Sequence, residues 1–73
     1  MFRPDRVRIL REQHGYSQYQ LGMLLGKNQT LVSHIEIGRK KPSIDTFDAL
    51  VTALQTNPAY LLDRTDHPLP EPV

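Results

Sequence analysis

A cluster of polar side chains between residues 29 and 34 has the types and the spacing to form hydrogen bonds along one side of a short helix. Its members are Gln29, Thr30, Ser33 and His34. Only Val32 and Ile35 remain in this stretch to pack inward. The primary amide of Gln29 pairs a donor with an acceptor, which matches the N6 and N7 atoms of adenine. The pattern predicts a helix that reads base edges, and a solvated first helical turn is the alternative for Gln29.

Basic and polar residues flank this cluster on both sides. Lys27 and Asn28 precede it, and Asn28 is a good N-cap for the helix. A basic loop of Arg39, Lys40 and Lys41 follows it. We expect these five residues to contact a nucleic-acid backbone, because cations that follow a reading helix suit phosphate better than base edges. The alternative for the loop is a run of charge that is simply solvated.

The residues before the cluster predict a second short helix that holds it. Ser17 followed by Gln20 forms a capping box, and Gly26 can supply the positive φ of a tight turn. The apolar stripe of this helix is Leu21, Leu24 and Leu25. Residues 17–38 therefore have the pattern of a helix-turn-helix. Leu31 lies beside the polar cluster, where it either touches a thymine methyl group or packs against the preceding helix.

Start and stop signals predict three further helices, over about residues 5–14, residues 44–54 and a short stretch after residue 57. Their boundaries are marked by Pro4 and Gly15, by Ser43, and by Asn57 and Pro58. The expected inward positions are Val7, Leu10, Arg11 and His14 in the first of these helices and Ile44, Phe47, Leu50, Val51 and Leu54 in the second. The third helix presents Tyr60, Leu61 and Leu62, to which a core this small gives limited cover. No strand pattern competes, so the predicted fold class is all-α with five helices.

Composition excludes several classes of protein. The 73 residues include no cysteine and three scattered histidines, so we expect neither a disulfide, nor a metal site, nor a cofactor. No apolar run approaches the roughly 20 residues that span a bilayer, and the N-terminal MFRPDRVR lacks the apolar region of a signal peptide. We therefore expect a cytoplasmic protein without membrane contact. A core of this size is marginal, which favours a partner that adds burial.

Charge is distributed unevenly along the chain. Residues 1–44 hold eight basic and three acidic residues, a net charge of +5. Residues 45–73 hold one basic and five acidic residues, a net charge of −4. The asymmetry directs the cationic half toward a polyanion.

With these residues placed, the chain resembles the DNA-binding domain of the lambda-repressor and Cro family, also called the xenobiotic-response-element family. The resemblance covers about residues 6–66. Its anchors are Arg8-x-Leu10-Arg11, Gly15-x-Ser17-Gln18, Leu21, Gly26, Gln29, Val32-Ser33, Ile35-Glu36, Gly38-Arg39, Lys41-Pro42-Ser43 and Leu61-Leu62. It implies a compact five-helix bundle over residues 1–62, with the third helix in the major groove of double-stranded DNA. Residues 63–73 would form a Pro-rich, irregular tail.

The resemblance also implies individual roles. Gln18 would contact a phosphate and the Gln29 side chain, although by itself it is an ordinary first residue of a helix. Arg11 and Glu36 would form a structural salt bridge between the first and third helices. Gly22 departs from the family pattern where alanine is common, and Lys27 departs where valine or a similar residue is usual. Gly22 permits a close helix approach, and Lys27 brings a cation near phosphate.

These observations predict a sequence-specific DNA-binding transcription regulator, a repressor that binds a palindromic operator as a homodimer. The expected dimer interface is Tyr60, Leu61, Leu62 and Leu69, together with the tail. We expect no enzyme, because the adjacent Ser33 and His34 point about 100° apart and lack an acid or oxyanion partner. The alternative function is a protein-binding module, such as the antitoxin of a toxin–antitoxin pair.

Overall fold

The computed structural model describes residues 1–70, in which five helices follow one another and no strand occurs. The helices are α1 (Pro4–Gln13), α2 (Gln18–Leu24), α3 (Gln29–Glu36), α4 (Ile44–Ala53) and α5 (Pro58–Leu61). The all-α class and the five predicted helices are confirmed, with the predicted boundaries of α1, α3 and α4 shifted by one residue at most and α5 beginning at Pro58 as predicted.

Side-chain caps determine where four of the helices begin. Ser17 and Gln20 form the predicted capping box on α2, in which each side chain bonds the other residue's backbone N–H. Asn28, Ser43 and Asn57 each accept a hydrogen bond from the backbone N–H three residues later. These caps satisfy N–H groups that would otherwise lack a partner.

The core is shared by all five helices: α2 packs against α3 and α4, and α1 packs against α3 and α5. Its nine buried apolar residues are Val7, Leu10, Leu21, Leu25, Val32, Ile35, Leu50, Leu54 and Leu61. Every helix contributes at least one of them, so each helix is held by residues distant in sequence. This shared core fixes the orientation of α3.

The predicted inward face of the fourth helix is wrong at its first residue. Ile44 is 88% exposed, whereas Thr46 is buried. The buried positions of this segment are Thr46, Leu50 and Leu54, each four residues from the next, and this row places Ile44 on the outer side of α4. His14, which was expected to point inward from the first helix, is also exposed. Its Nε2 atom lies 2.8 Å from the carbonyl oxygen of Leu54.

Arg6 is the buried charged residue that the sequence pattern did not indicate. Its guanidinium group donates hydrogen bonds to the carbonyl oxygens of Tyr60, at 2.8 Å, and Thr65, at 2.7 Å. It also donates to the carboxylate of Asp66 at 3.0 Å and lies 4.2 Å from the centre of the Tyr60 ring. Arg6 therefore attaches the tail to α1 and α5.

Two buried side chains attach the tail at its other end. Asn57 donates from Nδ2 to the carbonyl oxygens of His67 and Leu69, at 2.8 and 2.7 Å. Thr56 donates to the carbonyl oxygen of Pro68 at 2.6 Å. Residues 63–70 contain no helix or strand, as predicted, yet they pack on the bundle. The last three residues of the predicted tail, 71–73, lie outside the described residues.

We predict that Asn57→Ala destabilises the protein by about 2–3 kcal/mol. The substitution removes an N-cap and also leaves two tail carbonyl groups without their donor. Asn28→Ala is the matched control, because Asn28 is an exposed asparagine whose side chain caps α3 alone. Its expected loss is about 1 kcal/mol. Urea unfolding measures both, and equal losses would contradict the role of Asn57 in holding the tail.

Candidate nucleic-acid interface

The structure places the four predicted base-reading residues on one side of α3. Gln29 and Thr30 are exposed, and Ser33 and His34 are half-buried. On the opposite side, Val32 and Ile35 are each 1% exposed. This division follows the 3.6-residue period of the helix, and it leaves an uncommitted polar face directed to solvent.

A shallow polar depression runs along one flank of this face. It is lined by Lys27, Asn28, Thr30, Leu31, His34 and Lys40. Leu31 is half-buried and packs against the core. The depression brings together a cation from before α3 and a cation from after it, which lie 13 residues apart in sequence.

Ion pairs neutralise half of the basic side chains that give residues 1–44 their positive net charge. All four arginines of residues 1–11 pair with carboxylates: Arg3 with Asp5 and Asp63, Arg6 with Asp66, Arg8 with Glu12, and Arg11 with Glu36. The remaining cations of residues 1–44 are Lys27, Arg39, Lys40 and Lys41, which are all exposed and form no ion pair within residues 1–70. Within residues 1–44, the positively charged side chains without an ion pair are therefore concentrated around the two ends of α3. The net charge of the N-terminal half could not have revealed this concentration.

A buried ion pair joins α1 to the end of α3. Arg11 Nε lies 2.6 Å from Glu36 Oε2, and Arg11 Nη2 lies 3.1 Å from Glu36 Oε1. The side chains are only 11% and 3% exposed, respectively. The hydrogen bonds to Glu36 raise the pKa of Arg11 above its ordinary value. The structure thus contains the salt bridge that the family resemblance implies.

The same carboxylate also fixes Gln18, the first residue of α2. Gln18 Nε2 donates to Glu36 Oε1 at 3.1 Å, and Arg11 Nη1 donates to the carbonyl oxygen of Tyr16 at 2.8 Å. Within the described chain, Gln18 forms no hydrogen bond with Gln29, which the resemblance had implied. One network therefore connects α1, the start of α2 and the end of α3.

Gly22 determines how closely α2 approaches α3. A Cβ atom at this position would lie 2.7 Å from the carbonyl carbon of Asn28 and 2.8 Å from its oxygen. Such distances are shorter than any ordinary van der Waals contact. Gly26 supplies the turn between the helices with φ of 68°, a conformation that glycine adopts without strain. The two glycines together set the geometry of the helix-turn-helix.

The predicted dimer residues do not form one surface. Leu61 is wrong as an interface residue, because it is fully buried in the core of its own chain. Tyr60 is half-buried beneath Arg6. Leu62 lines a depression with Phe2 and Ile44, whereas the exposed Leu69 lines a separate one beside α1 and the end of α4.

Comparison with known proteins identifies the class to which this arrangement belongs. The sequence profile of a helix-turn-helix family matches residues 7–61. The structure is similar to that of the P22 c2 repressor in complex with synthetic operator 9T, with a TM-score of 0.83 and 29% identity over 89% of this chain and 98% of that one. No curated protein matches by sequence.

Two further structures are similar. One is the restriction-modification controller protein C.AhdI from Aeromonas hydrophila, with a TM-score of 0.74 and 34% identity over 80% of this chain and 88% of that one. The other is from the SinR–SinI complex, with a TM-score of 0.76 and 28% identity over 82% of this chain and 59% of that one.

The chain therefore belongs to the Cro/C1-type helix-turn-helix family of DNA-binding transcription regulators. The predicted resemblance is confirmed. The family and the fold are those of regulators and not of enzymes. Within residues 1–70, no group of three or more His, Cys, Asp or Glu side chains is placed to hold a metal ion, and no helix is long and apolar enough to cross a bilayer.

We predict that Gly22→Ala destabilises the protein by about 1–3 kcal/mol, since the added methyl group meets backbone atoms that cannot move independently. Helix propensity alone predicts the opposite, a gain of about 1 kcal/mol. Thermal unfolding decides between the two effects. Met23→Ala, at the next position of α2, is the control, because Met23 is 62% exposed. A melting temperature raised by Gly22→Ala would contradict the close approach described above.

Proposed function

We propose that this protein is a repressor that binds a palindromic operator as a homodimer. The observation that carries the proposal is the concentration of unpaired cations around an exposed polar helix face. A protein that binds DNA must offer positive charge to phosphates and uncommitted donors and acceptors to base edges. The surroundings of α3 supply both.

In this proposal the exposed side of α3 enters the major groove. Gln29 pairs with an adenine, and Thr30, Ser33 and His34 contact neighbouring base edges. The amide of Gln29 has no hydrogen-bond partner within residues 1–70, so its donor and acceptor remain available. The buried network of Arg11 and Glu36 keeps α3 fixed while it binds, which lowers the cost of association.

The DNA backbone would be held from several sides. Lys27 and Lys40 approach the phosphates from the polar depression, and Arg39 does so from the loop after α3. Gln18 and Asn28 add polar contacts at the starts of α2 and α3, where Gln18 is already oriented by Glu36. Lys41, the last basic residue of the loop, lines the apolar depression together with Ile44. In this proposal it contacts phosphate only at the edge of the DNA-binding surface.

A homodimer follows from the small footprint of one α3. A single recognition helix reads only a few base pairs, and two helices about 34 Å apart read two successive major grooves on one side of the duplex. The similarity to a repressor solved with its operator supports this function.

The second candidate function is protein binding. The SinR–SinI complex is a structure of two proteins, and the similarity of this chain to it supports protein binding as an alternative. The feature that favours protein binding is a cluster of large apolar side chains on the outer side of α2. Its members Tyr19, Met23 and Leu24 are each more than half exposed.

Selection of binding sites from randomised duplexes tests the repressor proposal directly. If no sequence is enriched, DNA reading is rejected and protein binding becomes the leading function.

We predict that Gln29→Ala weakens binding to the selected operator by about 1–3 kcal/mol per half-site, because one amide–adenine pair is lost. Binding to random duplex should stay the same. Gln13→Ala, at the exposed end of α1, is the matched control and should change neither affinity. Titration at fixed salt measures both, and an equal loss on operator and random duplex would make Gln29 a backbone contact.

We further predict that Lys27→Gln and Lys40→Gln each reduce the salt dependence of binding by about one unit of log K against log[salt] per monomer. The preference among sequences should be unchanged, because phosphate contacts carry no sequence information. Arg8→Gln is the control, since Arg8 is an exposed cation that already pairs with Glu12. Slopes that stay at the wild-type value in both lysine variants would assign these side chains to solvent.

A further inference from the structure

His34 lies in the polar depression on the flank of α3, together with two lysines. The depression measures about 370 Å³, and its lining includes Lys27 and Lys40 as well as the histidine. The His34 side chain is half-buried, and its ring nitrogens form no hydrogen bond within residues 1–70. The ring of His14, by contrast, lies within hydrogen-bond distance of the carbonyl oxygen of Leu54. Both ring nitrogens of His34 are therefore available to a ligand.

Backbone hydrogen bonds hold the two lysines beside this depression. The backbone N–H groups of Arg39 and Lys40 donate to the carbonyl oxygen of His34, at 2.9 and 3.2 Å. The basic loop therefore turns back over the last turn of α3. On the other side, the N–H of Lys27 donates to the carbonyl oxygen of Gly22 at 2.9 Å, which closes the turn between α2 and α3. The fold itself thus brings these three side chains to one depression.

No carboxylate of residues 1–70 lines the depression, and the basic loop beside it adds only positive charge. The helices packed against α3 are α1 and α2. Every charged residue of α1 is already in an ion pair, including Arg11, which binds Glu36 of α3 itself. α2 has no charged side chain, and its titratable Tyr19 is exposed on the outer side. An anion that neutralises the depression must therefore come from another molecule.

We propose that His34, Lys27 and Lys40 form one binding site for a phosphate of the DNA backbone, and that His34 takes up a proton from solvent when the phosphate enters. An imidazole group ordinarily changes charge between about pH 5 and pH 8, and a neighbouring anion favours its charged form. The neutral ring offers one N–H donor, whereas the protonated ring offers two donors and a positive charge. This inference rests on the proposed DNA-binding function, and it changes the role of His34 from base reading to backbone binding.

The first experiment measures the affinity of the full chain for a random duplex between pH 6 and pH 8 at fixed salt. Wild-type affinity should be about 5–10-fold higher at pH 6, because binding is linked to protonation of one group. Calorimetry in two buffers of different ionisation enthalpy should show uptake of about half a proton per chain near pH 7. Salt dependence should be steeper at pH 6 by up to about one unit of log K against log[salt], since a third cation then meets the phosphates.

Two substitutions of His34 assign the effect to its ring. His34→Gln removes the titrating group, so its affinity should match wild type at pH 8 and should not rise at pH 6. His34→Lys supplies a permanent cation, and at pH 8 it should bind about 5–10-fold more tightly than wild type, without pH dependence. His67→Gln is the matched control, because His67 is an exposed histidine outside the depression, and it should behave like wild type.

Three results would overturn the proposal. They are a wild-type affinity that does not change with pH, proton uptake that persists in His34→Gln, and a His34→Lys chain that binds no more tightly than His34→Gln at pH 8.

The same titrations on the selected operator separate phosphate binding from base reading. Phosphate groups are present in every sequence, so the pH dependence should be equal on operator and on random duplex. A rise in affinity confined to the operator would place the protonated ring against a base edge and would reject the phosphate site.

The repressor function is judged by a different measurement, the enrichment of sequences in the binding-site selection. Proton uptake on random duplex without an enriched sequence would sustain the phosphate site and reject sequence-specific repression. Enrichment with a pH-independent affinity would sustain the repressor function and reject the role of His34. A chain that binds no duplex at any pH would reject both.

Discussion

The bidentate ion pair between Arg11 and Glu36 is the contact on which the position of α3 depends. Its two side chains are almost fully buried, and they connect the first helix to the end of the third. Replacing one partner would leave an uncompensated charge in the interior, at a cost of about 3–5 kcal/mol, whereas an apolar replacement of both is often tolerated. The pair is therefore better understood as a device for orientation than as a source of net stability.

The network extends from this pair to the parts of the helix-turn-helix that face outward. Gln18 bonds the same carboxylate, and Gly22, one turn later in α2, approaches the backbone at the start of α3. The first contact is polar and the second is steric, and they act at opposite ends of α3. A helix held at both ends presents its polar side in one orientation, which is what the proposed reading of base edges requires.

Most of the fold could be predicted because its signals are local. The capping box of Ser17 and Gln20, the cap at Asn28 and the turn at Gly26 each depend on residues within one helical turn. The rest depends on contacts between distant residues. Arg6 is buried because one carbonyl group of α5 and two groups of the tail accept its hydrogen bonds, and the pattern of α1 alone cannot show that. The inward face of α4 was wrong at Ile44, because the buried row begins at the polar Thr46 and continues through Leu50 and Leu54, which leaves Ile44 on the outer side.

The candidate site was predictable in its residues and less so in its electrostatics. The polar side of α3 follows directly from helical periodicity around Val32 and Ile35. The distribution of free charge does not, because Arg3, Arg6, Arg8 and Arg11 count as cations in the sequence but are paired in the structure. The charge of a segment therefore indicates a binding partner only when the residues in ion pairs are left out of the count.

The attachment of the tail has a consequence for how the chain tolerates change. Arg6, Thr56 and Asn57 bind mainly the carbonyl oxygens of residues 65–69, and every residue type, proline included, carries that oxygen. The tail can therefore vary widely in its side chains while its course over the bundle is preserved. Substitutions should instead be poorly tolerated at the three anchoring side chains, of which Arg6 lies in α1 and Thr56 and Asn57 lie between α4 and α5. In a saturation mutagenesis screen, the attached segment would look dispensable residue by residue although its backbone is part of the folded domain.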